Sequence, residues 1–378
     1  MKRIYLDNAA TTKVDDRVLK AMLPFLKESY GNPSSKHSLG KNALNAVEKA
    51  RNFIAKSIGA KTNEIIFTSG GTEANNLALK GVFFNSDKKE IIISNIEHES
   101  IVSCCDFLRT QGAKIITVPV NSEGLLDLRV FERSINSNTL LVSIIHGNNE
   151  IGVVQDLEKI GEICKRKGVL FHVDACQSFL RETINVQKMN IDLLTLNSHK
   201  IHGPKGVGAL YVRNGTNMKV LIHGGGQEFG MRSGTENVPG IVGFGKAVEI
   251  FNSKYNKKVE QLLGKLIDGL LKIPETKLNG SRNERLCNNI NIAFYGVDSE
   301  VLQSMLDAKG ICVSAGSACS SLREKRSHVL EALGDNKAVG SSIRFSSSKE
   351  TTNKEIDFVI KCVSDIVSLL RKNTQIIK

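Results

Sequence analysis

Short apolar runs rich in isoleucine and valine alternate with longer amphipathic stretches between about residues 60 and 215. Such runs predict buried β-strands, and the stretches between them place apolar residues at helical spacing. In residues 156–167, for example, Leu157, Ile160 and Cys164 fall on one helical face. The predicted strands comprise residues 64–68, 90–94, 114–118, 140–145, 169–173, 192–196 and 208–212. This alternation predicts an α/β fold with a mostly parallel sheet of about seven strands.

The pattern changes towards the C-terminus, where it predicts a smaller α+β domain. A lysine-rich amphipathic helix over residues 251–271 is followed by a strand at 288–294, a helix at 299–309, a short strand at 311–313 and a terminal helix at 355–371. We therefore expect an N-terminal segment (1–15) that packs with the small domain, a large domain (16–255) and the small domain itself (256–378).

Composition restricts the class of protein. Hydrophobic residues make up 41% of the 378-residue chain, which is enough for a sizeable core. No apolar run approaches the roughly 20 residues that span a bilayer, and the N-terminus lacks the apolar region of a signal peptide. The eight cysteines include no C-x-x-C pair, so neither a disulfide framework nor a structural zinc site is expected. We expect a cytoplasmic protein without a metal or a membrane partner.

The net charge of +12 leaves two interpretations open. The basic residues are spread along the chain, which is typical of an ordinary solvated surface. A basic surface can also attract an acidic protein or tRNA. Because there is no long basic tail and no interleaving of basic and aromatic residues, DNA is not an expected partner.

Polar residues follow several of the predicted strands. Residues 68–76 are rich in small residues and open a helix, so Thr72 is either a phosphate ligand or a plain helix cap. His98 follows the second strand, and residues 146–150 follow the fourth. In an open parallel sheet, ligands bind outside the carboxyl ends of the strands, so we expect these residues at one edge.

Asp174 and Lys200 complete this set at the ends of the fifth and sixth strands. A carboxylate there can hold a pyridinium nitrogen protonated, although Asp174 alone could equally cap a helix. A lysine among apolar strands and glycines can form a Schiff base, although Lys200 alone could be a solvated loop residue. A phosphate cradle, a carboxylate and a lysine at successive strand ends together describe a site for pyridoxal 5'-phosphate (PLP).

Taken together, these segments resemble those of a known family, the cysteine desulfurases of the NifS/IscS type. These belong to the class V aminotransferases, which have the aspartate-aminotransferase-like fold of PLP-dependent transferases. The matching segments run nearly from end to end and comprise residues 5–12, 31–37, 68–76, 95–99, 146–152, 171–177, 197–206, 224–240, 314–319 and 342–345.

The resemblance implies roles for individual residues. Lys200 would bind the cofactor covalently, His98 would stack on its ring and assist proton transfers, and Asp174 would pair with the ring nitrogen. Further cofactor contacts would come from Gly71, Thr72, Asn148, Gln177, Asn197, His199 and Thr235. Thr235 would reach over from the other subunit of a homodimer. The substrate would be held by Asn8, Asn148 and Arg344, the arginine gripping its carboxylate.

The resemblance assigns the sulfur chemistry to Cys319. A protein thiolate attacks the sulfur of L-cysteine, which leaves a persulfide on the protein and releases alanine. A free thiol with a pKa near 8.5 is mostly protonated at pH 7, so the site must help to deprotonate it. Cys319 lies among small residues, within a segment that could be a mobile loop.

Several positions depart from the family pattern. Asn197 stands where a serine is usual, Phe229 replaces the arginine of Glu-Arg-Gly, and residues 346–348 replace Ser-Leu-Gly. Residues 322–326 are unusually basic, which suggests an acidic partner or RNA. The chain ends at Lys378, without the longer tail by which relatives dock on an iron–sulfur scaffold protein, so that partner is less strongly indicated.

Other functions stay open on the same fold. A selenocysteine lyase, a cysteine-sulfinate lyase or an aminotransferase would share the cofactor site, and the first two can work without Cys319. A non-catalytic basic binding protein would have lost Lys200 or Asp174, and both are present. The sulfur acceptor is not indicated by the sequence: iron–sulfur cluster assembly, tRNA thiolation, thiamine or molybdenum-cofactor synthesis and DNA phosphorothioation all use this chemistry.

Overall fold

The structure, a computed structural model, describes residues 3–315 and 326–376. The strands, numbered in chain order, are β1 (Ile4–Tyr5), β2 (Ile65–Thr68), β3 (Glu90–Ser94), β4 (Lys114–Val118), β5 (Thr139–Ile145), β6 (Leu170–Asp174), β7 (Leu193–Asn197), β8 (Gly208–Val212), β9 (Thr276–Leu278), β10 (Asn289–Phe294), β11 (Ile311–Cys312), β12 (Ser314–Ala315) and β13 (Ser342–Ser346). The helices are α1 (Asp16–Met22), α2 (Pro24–Lys27), α3 (Ser38–Ser57), α4 (Gly71–Phe84), α5 (Glu99–Thr110), α6 (Leu128–Ser134), α7 (Leu157–Lys167), α8 (Val238–Glu249), α9 (Lys254–Leu270), α10 (Ser299–Ala308), α11 (His328–Ala332) and α12 (Asn353–Ile376).

Seven strands form the central sheet, in the order β2-β8-β7-β6-β5-β3-β4. All neighbouring pairs are parallel except those of β8, which runs antiparallel to both β2 and β7. The prediction of a mostly parallel, seven-stranded α/β sheet is confirmed, and each strand lies within one residue of its predicted bounds. The insertion of β8 between β2 and β7 could not be read from the sequence.

Helices cover both faces of this sheet. On one face α3, α7 and α8 bury residues such as Ile54, Ile160 and Phe244 against the strands. On the other face α4 and α5 bury residues such as Leu77 and Ile101. Because both faces are covered, the strands carry continuous apolar runs and not an alternation of apolar and polar residues.

Helix α7 shows how local sequence determines these elements. The Asp156 side chain accepts a hydrogen bond from the Lys159 backbone N–H and begins the helix. Gly168 ends it in the left-handed conformation, with φ of 65°, which glycine adopts without steric cost. Basic residues occupy the last turn, where they are favoured by the partial negative charge of the helix C-terminus.

The C-terminal part forms a second, antiparallel sheet in the order β12-β13-β10-β9, covered by α9, α10 and α12. Strand β1 pairs in parallel with β11, and Leu6 is buried in the same core. Residues 8–12 then run to the carboxyl ends of the central strands, where Thr12 binds the backbone of His199. Thus the N-terminal segment joins the two sheets beside the predicted site.

None of the helices in the described part of the chain combines the length and apolarity that a bilayer-spanning helix needs.

Candidate active site

A cavity of about 390 Å³ lies at the carboxyl ends of the central strands. The structure brings together there most of the residues that the sequence singles out. These are Gly71, Thr72, His98, Asp174, Gln177, Asn197, His199, Lys200 and Arg344. The remaining lining residues were not predicted, namely Ala9, Ala10, Asn75, Ser100, Ile145, Asn149 and Cys176.

Lys200 follows β7 and lines the cavity. Its Nζ donates to the carbonyl of Ala10 at 2.7 Å and also to the carbonyl of Ala9. From the other side, Arg181 Nη2 donates to the Lys200 carbonyl at 2.6 Å. The lysine is therefore held by contacts with the N-terminal segment, almost two hundred residues away in sequence. Its amine lies within the cavity where it can reach a bound ligand.

Asp174 ends β6 and is buried, with 3% of its surface exposed. Its Oδ2 accepts from Asn75 Nδ2 at 2.8 Å and its Oδ1 accepts from the Cys176 backbone N–H at 2.9 Å. These two donors fix the direction of the carboxylate at the cavity wall. Asn75 lies on α4 within the motif of residues 68–76, so the motif indicated the segment but not this role.

His98 is connected to Asp174 through a short chain of hydrogen bonds. Asn75 Nδ2 also donates to Ser100 Oγ at 2.8 Å, and Ser100 Oγ lies 2.8 Å from His98 Nδ1. The Ser100 backbone N–H donates to the same His98 Nδ1 at 3.1 Å, so this nitrogen is an acceptor. The neutral ring therefore carries its proton on Nε2. Ser100, two positions after His98, orients the ring and was missed by the sequence analysis.

The start of α4 and the loop after β7 form the other end of the cavity. Burial, with Lys200 and Lys205 nearby, lowers the pKa of His199 to about 4, so its ring is neutral at pH 7. Its Nδ1 lies 3.1 Å from Thr11 Oγ1. Gly71 and Thr72 open α4, where free backbone N–H groups favour an anion. This end of the cavity suits a phosphate group.

Three buried oxygen atoms on cavity-lining side chains have no hydrogen-bond partner among the described residues. They are Asn75 Oδ1, Gln177 Oε1 and Asn197 Oδ1, on side chains that are at least 95% buried. Gln177 Nε2, by contrast, donates to the Ala9 carbonyl at 2.8 Å. Buried polar atoms are normally satisfied, so these three are best explained by a polar ligand in the cavity. Together with Asp174 and Lys200, they fit PLP.

Gly71 lies in a tightly packed part of the cavity wall, at the predicted phosphate end. A Cβ atom at position 71 would lie 2.4 Å from Cys176 Sγ. We expect Gly71→Ala to lower the free energy of unfolding by roughly 1–3 kcal/mol, as overpacking does, and to weaken cofactor retention. Chemical denaturation and cofactor titration would measure both effects.

A double variant provides the control for this clash. Replacing Cys176 by alanine removes the sulfur, and the next atom, Asn197 Nδ2, is 3.7 Å away. Gly71→Ala combined with Cys176→Ala should therefore recover most of the lost stability. A double variant as unstable as Gly71→Ala alone would rule out this contact as the cause.

Three predicted site residues do not line this cavity. Asn148 is fully buried with its side chain engaged by backbone, because its Oδ1 accepts from Glu150 and Ile151 and its Nδ2 donates to the Ile96 carbonyl. The neighbouring Asn149 lines the cavity in its place. Asn8 donates its side-chain amide to the carbonyls of Tyr5 and Ser346, so the structure places it in a supporting position.

The third of these residues is Thr235, which is exposed on the segment before α8. Its contact with a second subunit stays a prediction. Cys319 lies outside the described residues.

Arg344, on β13, reaches the cavity from the second sheet and is 2% exposed. Its Nη1 donates to the Asn149 carbonyl at 2.9 Å and its Nη2 to Asp7 Oδ1 at 2.7 Å. Its Nε has no partner among the residues that the structure describes. A guanidinium with a buried, unused N–H at a cavity suits a carboxylate ligand.

Two of the departures from the family pattern lie in segments with defined contacts, whereas residues 322–325 of the basic segment lie outside the described residues. Glu228 forms a buried, two-point ion pair with Arg51, at 2.7 and 2.9 Å, and the exposed Phe229 ring stacks over the same guanidinium. Ser346 Oγ accepts from the Ala9 backbone N–H at 2.8 Å. The segment after Arg344 therefore helps to place the carbonyl that binds Lys200.

Glu97 is a buried carboxyl group behind His98. Its Oε1 accepts from the Ser94 hydroxyl at 2.5 Å and from the Ile145 backbone N–H at 3.0 Å, whereas its Oε2 has no partner among the described residues. Burial, reinforced by the negative charge of Asp174, raises the pKa of Glu97 to about 8. The carboxyl is therefore mostly protonated at pH 7.

This raised pKa predicts a pH dependence of stability. The folded protein holds a proton on Glu97 that the unfolded chain releases near pH 4.5, so stability falls as the pH rises towards 8. Between pH 7 and pH 8 this one group should cost roughly 1 kcal/mol of unfolding free energy. Glu97→Gln should remove that loss, as measured by chemical denaturation at both pH values.

Glu90 provides the matched control, because hydrogen bonds from Lys114, Thr139 and Asn136 hold its pKa below the ordinary value. It is ionised in both states above pH 7, so Glu90→Gln should leave the difference between pH 7 and pH 8 unchanged. Equal pH dependence in Glu97→Gln and the unaltered protein would contradict the assignment to Glu97.

Comparison with known proteins identifies the family. The model of the family "Aminotransferase class-V" matches residues 4–359. This chain belongs to the class-V aminotransferases. It is 46% identical, over 98% of its length and 93% of the other's, to "Cysteine desulfurase IscS" of Methanosarcina thermophila.

Solved structures of similar proteins agree with this assignment. A "NIFS-LIKE PROTEIN" matches 97% of this chain and 100% of its own with a TM-score of 0.91 at 40% identity. "SspA in complex with cysteine" matches 92% of this chain and 100% of its own with a TM-score of 0.84 at 38% identity. Members of the class-V family are PLP-dependent enzymes, and PLP is the cofactor of this chain.

Proposed function

We propose that this protein is a cysteine desulfurase that removes sulfur from L-cysteine and transfers it to Cys319. The net reaction is L-cysteine plus a protein thiol giving L-alanine plus a protein persulfide, so atoms and electrons balance without an external oxidant. One observation carries the proposal: a single cavity brings together Lys200, Asp174, His98 and Arg344 in a chain with full-length similarity to cysteine desulfurases.

Each of the main cavity residues has a separate role in the proposed reaction. Bound PLP supplies an electron sink for the bonds at the substrate Cα. Lys200 holds the cofactor and moves the proton at Cα, while His98, a donor through Nε2, assists proton transfer. Asp174 keeps the ring nitrogen protonated, and Arg344 holds the substrate carboxylate. Gln177 and Asn197 each have a buried oxygen available to the bound ligand.

The thiol chemistry supports Cys319 as the sulfur carrier. The thiolate is the nucleophilic form, so a raised pKa makes a cysteine a poor nucleophile. Burial raises the pKa of all seven described cysteines. The pKa is raised to about 11 for Cys104 and Cys287. It is also raised above the ordinary value for the other five, Cys105, Cys164, Cys176, Cys312 and Cys362. Cys176 alone among them lines the cavity. The described cysteines are therefore poorly suited to the attack, which leaves Cys319.

Further parts of the proposal concern assembly and delivery. The protein acts as a cytoplasmic homodimer in which Thr235 contacts the cofactor of the other subunit. The sulfur then passes to an acceptor protein, for iron–sulfur cluster assembly or for thiolation of a cofactor or tRNA. The exposed position of Thr235 supports the first part, and the relatives named IscS support the second.

Incubation of the purified protein with L-cysteine tests the proposal. We expect alanine to form, and peptide mapping by mass spectrometry to find an added sulfur on the peptide that contains Cys319. An absence of alanine at any cofactor loading would refute the desulfurase. Alanine without a persulfide would indicate a lyase of the selenocysteine or cysteine-sulfinate kind.

A further inference from the structure

Asp7 forms an ion pair with the arginine that would bind the substrate. Arg344 Nη2 donates to Asp7 Oδ1 at 2.7 Å, and the two side chains are 2% and 18% exposed. Ser314 Oγ also donates to Asp7 Oδ1, at 2.8 Å, and lies 3.2 Å from Arg344 Nη2. The three side chains thus form a closed, mostly buried triangle at the wall of the cavity.

This triangle changes the charge that an incoming ligand meets. A buried arginine alone would present a full positive charge, but the Asp7 carboxylate cancels most of it. The N–H groups of Arg344 are also partly occupied by hydrogen bonds within the protein. Nη1 donates to the Asn149 carbonyl, and Nη2 donates to Asp7 and Ser314. Nε is the donor that the described residues leave without a partner. A second carboxylate must therefore share the arginine with Asp7.

We infer that Asp7 is a permanent counter-ion of Arg344 that weakens carboxylate binding there. Asp7 thereby sets the affinity for the amino-acid substrate and product. The inference rests on the proposed function of Arg344. Asp7 stabilises the empty site, where an unpaired buried guanidinium would be costly. It also weakens the hold on the product carboxylate, which favours release of alanine over its retention.

The sign of the effect distinguishes this role from a merely structural one. Removing a supporting residue usually weakens ligand binding, whereas removing a competing charge strengthens it. Asp7→Asn keeps the size and one hydrogen-bond acceptor but loses the charge. We expect this variant to bind L-alanine roughly tenfold more tightly, because one unit of negative charge leaves a buried site.

Asp15 offers a matched control on the same N-terminal segment. It pairs with Lys349 at 2.5 Å and with Arg17 at 2.8 Å, and it caps α1, a position where asparagine is equally suitable. It does not line the cavity. Asp15→Asn therefore removes a paired aspartate charge from the same segment and should leave alanine affinity unchanged.

The experiment is a calorimetric titration of L-alanine into the cofactor-loaded protein and its variants. Alanine carries the carboxylate but no sulfur, so binding is measured without turnover. Melting temperatures with and without propionate, which lacks the amino group, give a second measurement. Propionate should raise the melting temperature of Asp7→Asn more than that of the unaltered protein.

Each outcome has a definite meaning. Tighter alanine binding in Asp7→Asn, with Asp15→Asn unchanged, supports the inference. Equal or weaker binding in a folded, cofactor-loaded Asp7→Asn overturns it while the proposed function stands. Failure of the unaltered protein to bind alanine overturns the proposed function, and the inference with it. Should Asp7→Asn fail to fold, Asp7→Ser removes the same charge and must show the same tightening.

Discussion

Replacing Lys200 by alanine is expected to lower alanine formation from L-cysteine by at least about 10³-fold, because the variant loses both the covalent anchor of the cofactor and the base that moves the Cα proton. The lysine amine is positioned at the cavity by the carbonyls of Ala9 and Ala10. The purified variant should also lack the yellow absorbance of the lysine-bound cofactor, which a spectrum recorded before any substrate is added would reveal.

Lys205 provides the matched control for this loss. It lies five residues further along the same loop, is exposed and does not line the cavity. Lys205→Ala should retain both the absorbance and most of the activity. If Lys200→Ala kept the yellow absorbance, another amine would have to hold the cofactor, and the assignment of Lys200 would fail.

Replacing Cys319 by alanine is expected to abolish persulfide formation and to reduce alanine release by about 10²-fold or more, since the variant lacks the thiolate that accepts the sulfur. Cofactor binding should be unaffected, because the residues assigned to the cofactor lie elsewhere. Quantified alanine, together with mass mapping of all cysteine-containing peptides, measures both effects.

Cys176 is the appropriate comparison, because it lines the cavity and is the rival thiol by position. Burial and the neighbouring Asp174 carboxylate raise the pKa of Cys176 well above its ordinary value, so it should be a poor nucleophile. Cys176→Ala should therefore still form the persulfide on Cys319. A persulfide found on Cys176, or alanine release that survives Cys319→Ala, would contradict the assignment of Cys319.

These experiments separate the two parts of the proposed reaction. Loss of the cofactor absorbance reports on Lys200 alone, whereas loss of the persulfide with normal absorbance reports on Cys319 alone. The Asp7 variant changes neither and alters only the affinity for the carboxylate. The three variants therefore divide the site into cofactor attachment, sulfur transfer and substrate binding.

The local pattern of the chain was sufficient to predict the strands of the central sheet. Buried strands such as residues 90–94 are short apolar runs, and their bounds depend on neighbouring residues alone. The place of β8 was not predictable, because strand order results from packing between segments that are far apart in sequence. The common position of Lys200, Asp174 and His98 at one edge was also predictable, since each follows a strand whose carboxyl end faces that edge.

The side-chain directions of Asn148 and Asn149 could not be predicted from the sequence. The motif indicated the segment, but only the folded chain decided that Asn148 turns inward to cap the loop backbone while its neighbour lines the cavity. A shift of one residue changes the direction of a side chain, and the sequence pattern does not resolve it.

The sequence by itself determined the kind of fold and the cofactor, and it indicated candidate residues for the chemistry, because these follow from local patterns and from the spacing of motifs. Only the tertiary structure decided which groups hold those residues in place. Asn75 and Ser100 connect Asp174 to His98, the carbonyls of Ala9 and Ala10 hold Lys200, and Asp7 shares Arg344. Most of these contacts join residues from distant parts of the chain, and such pairs are defined only once the chain has folded.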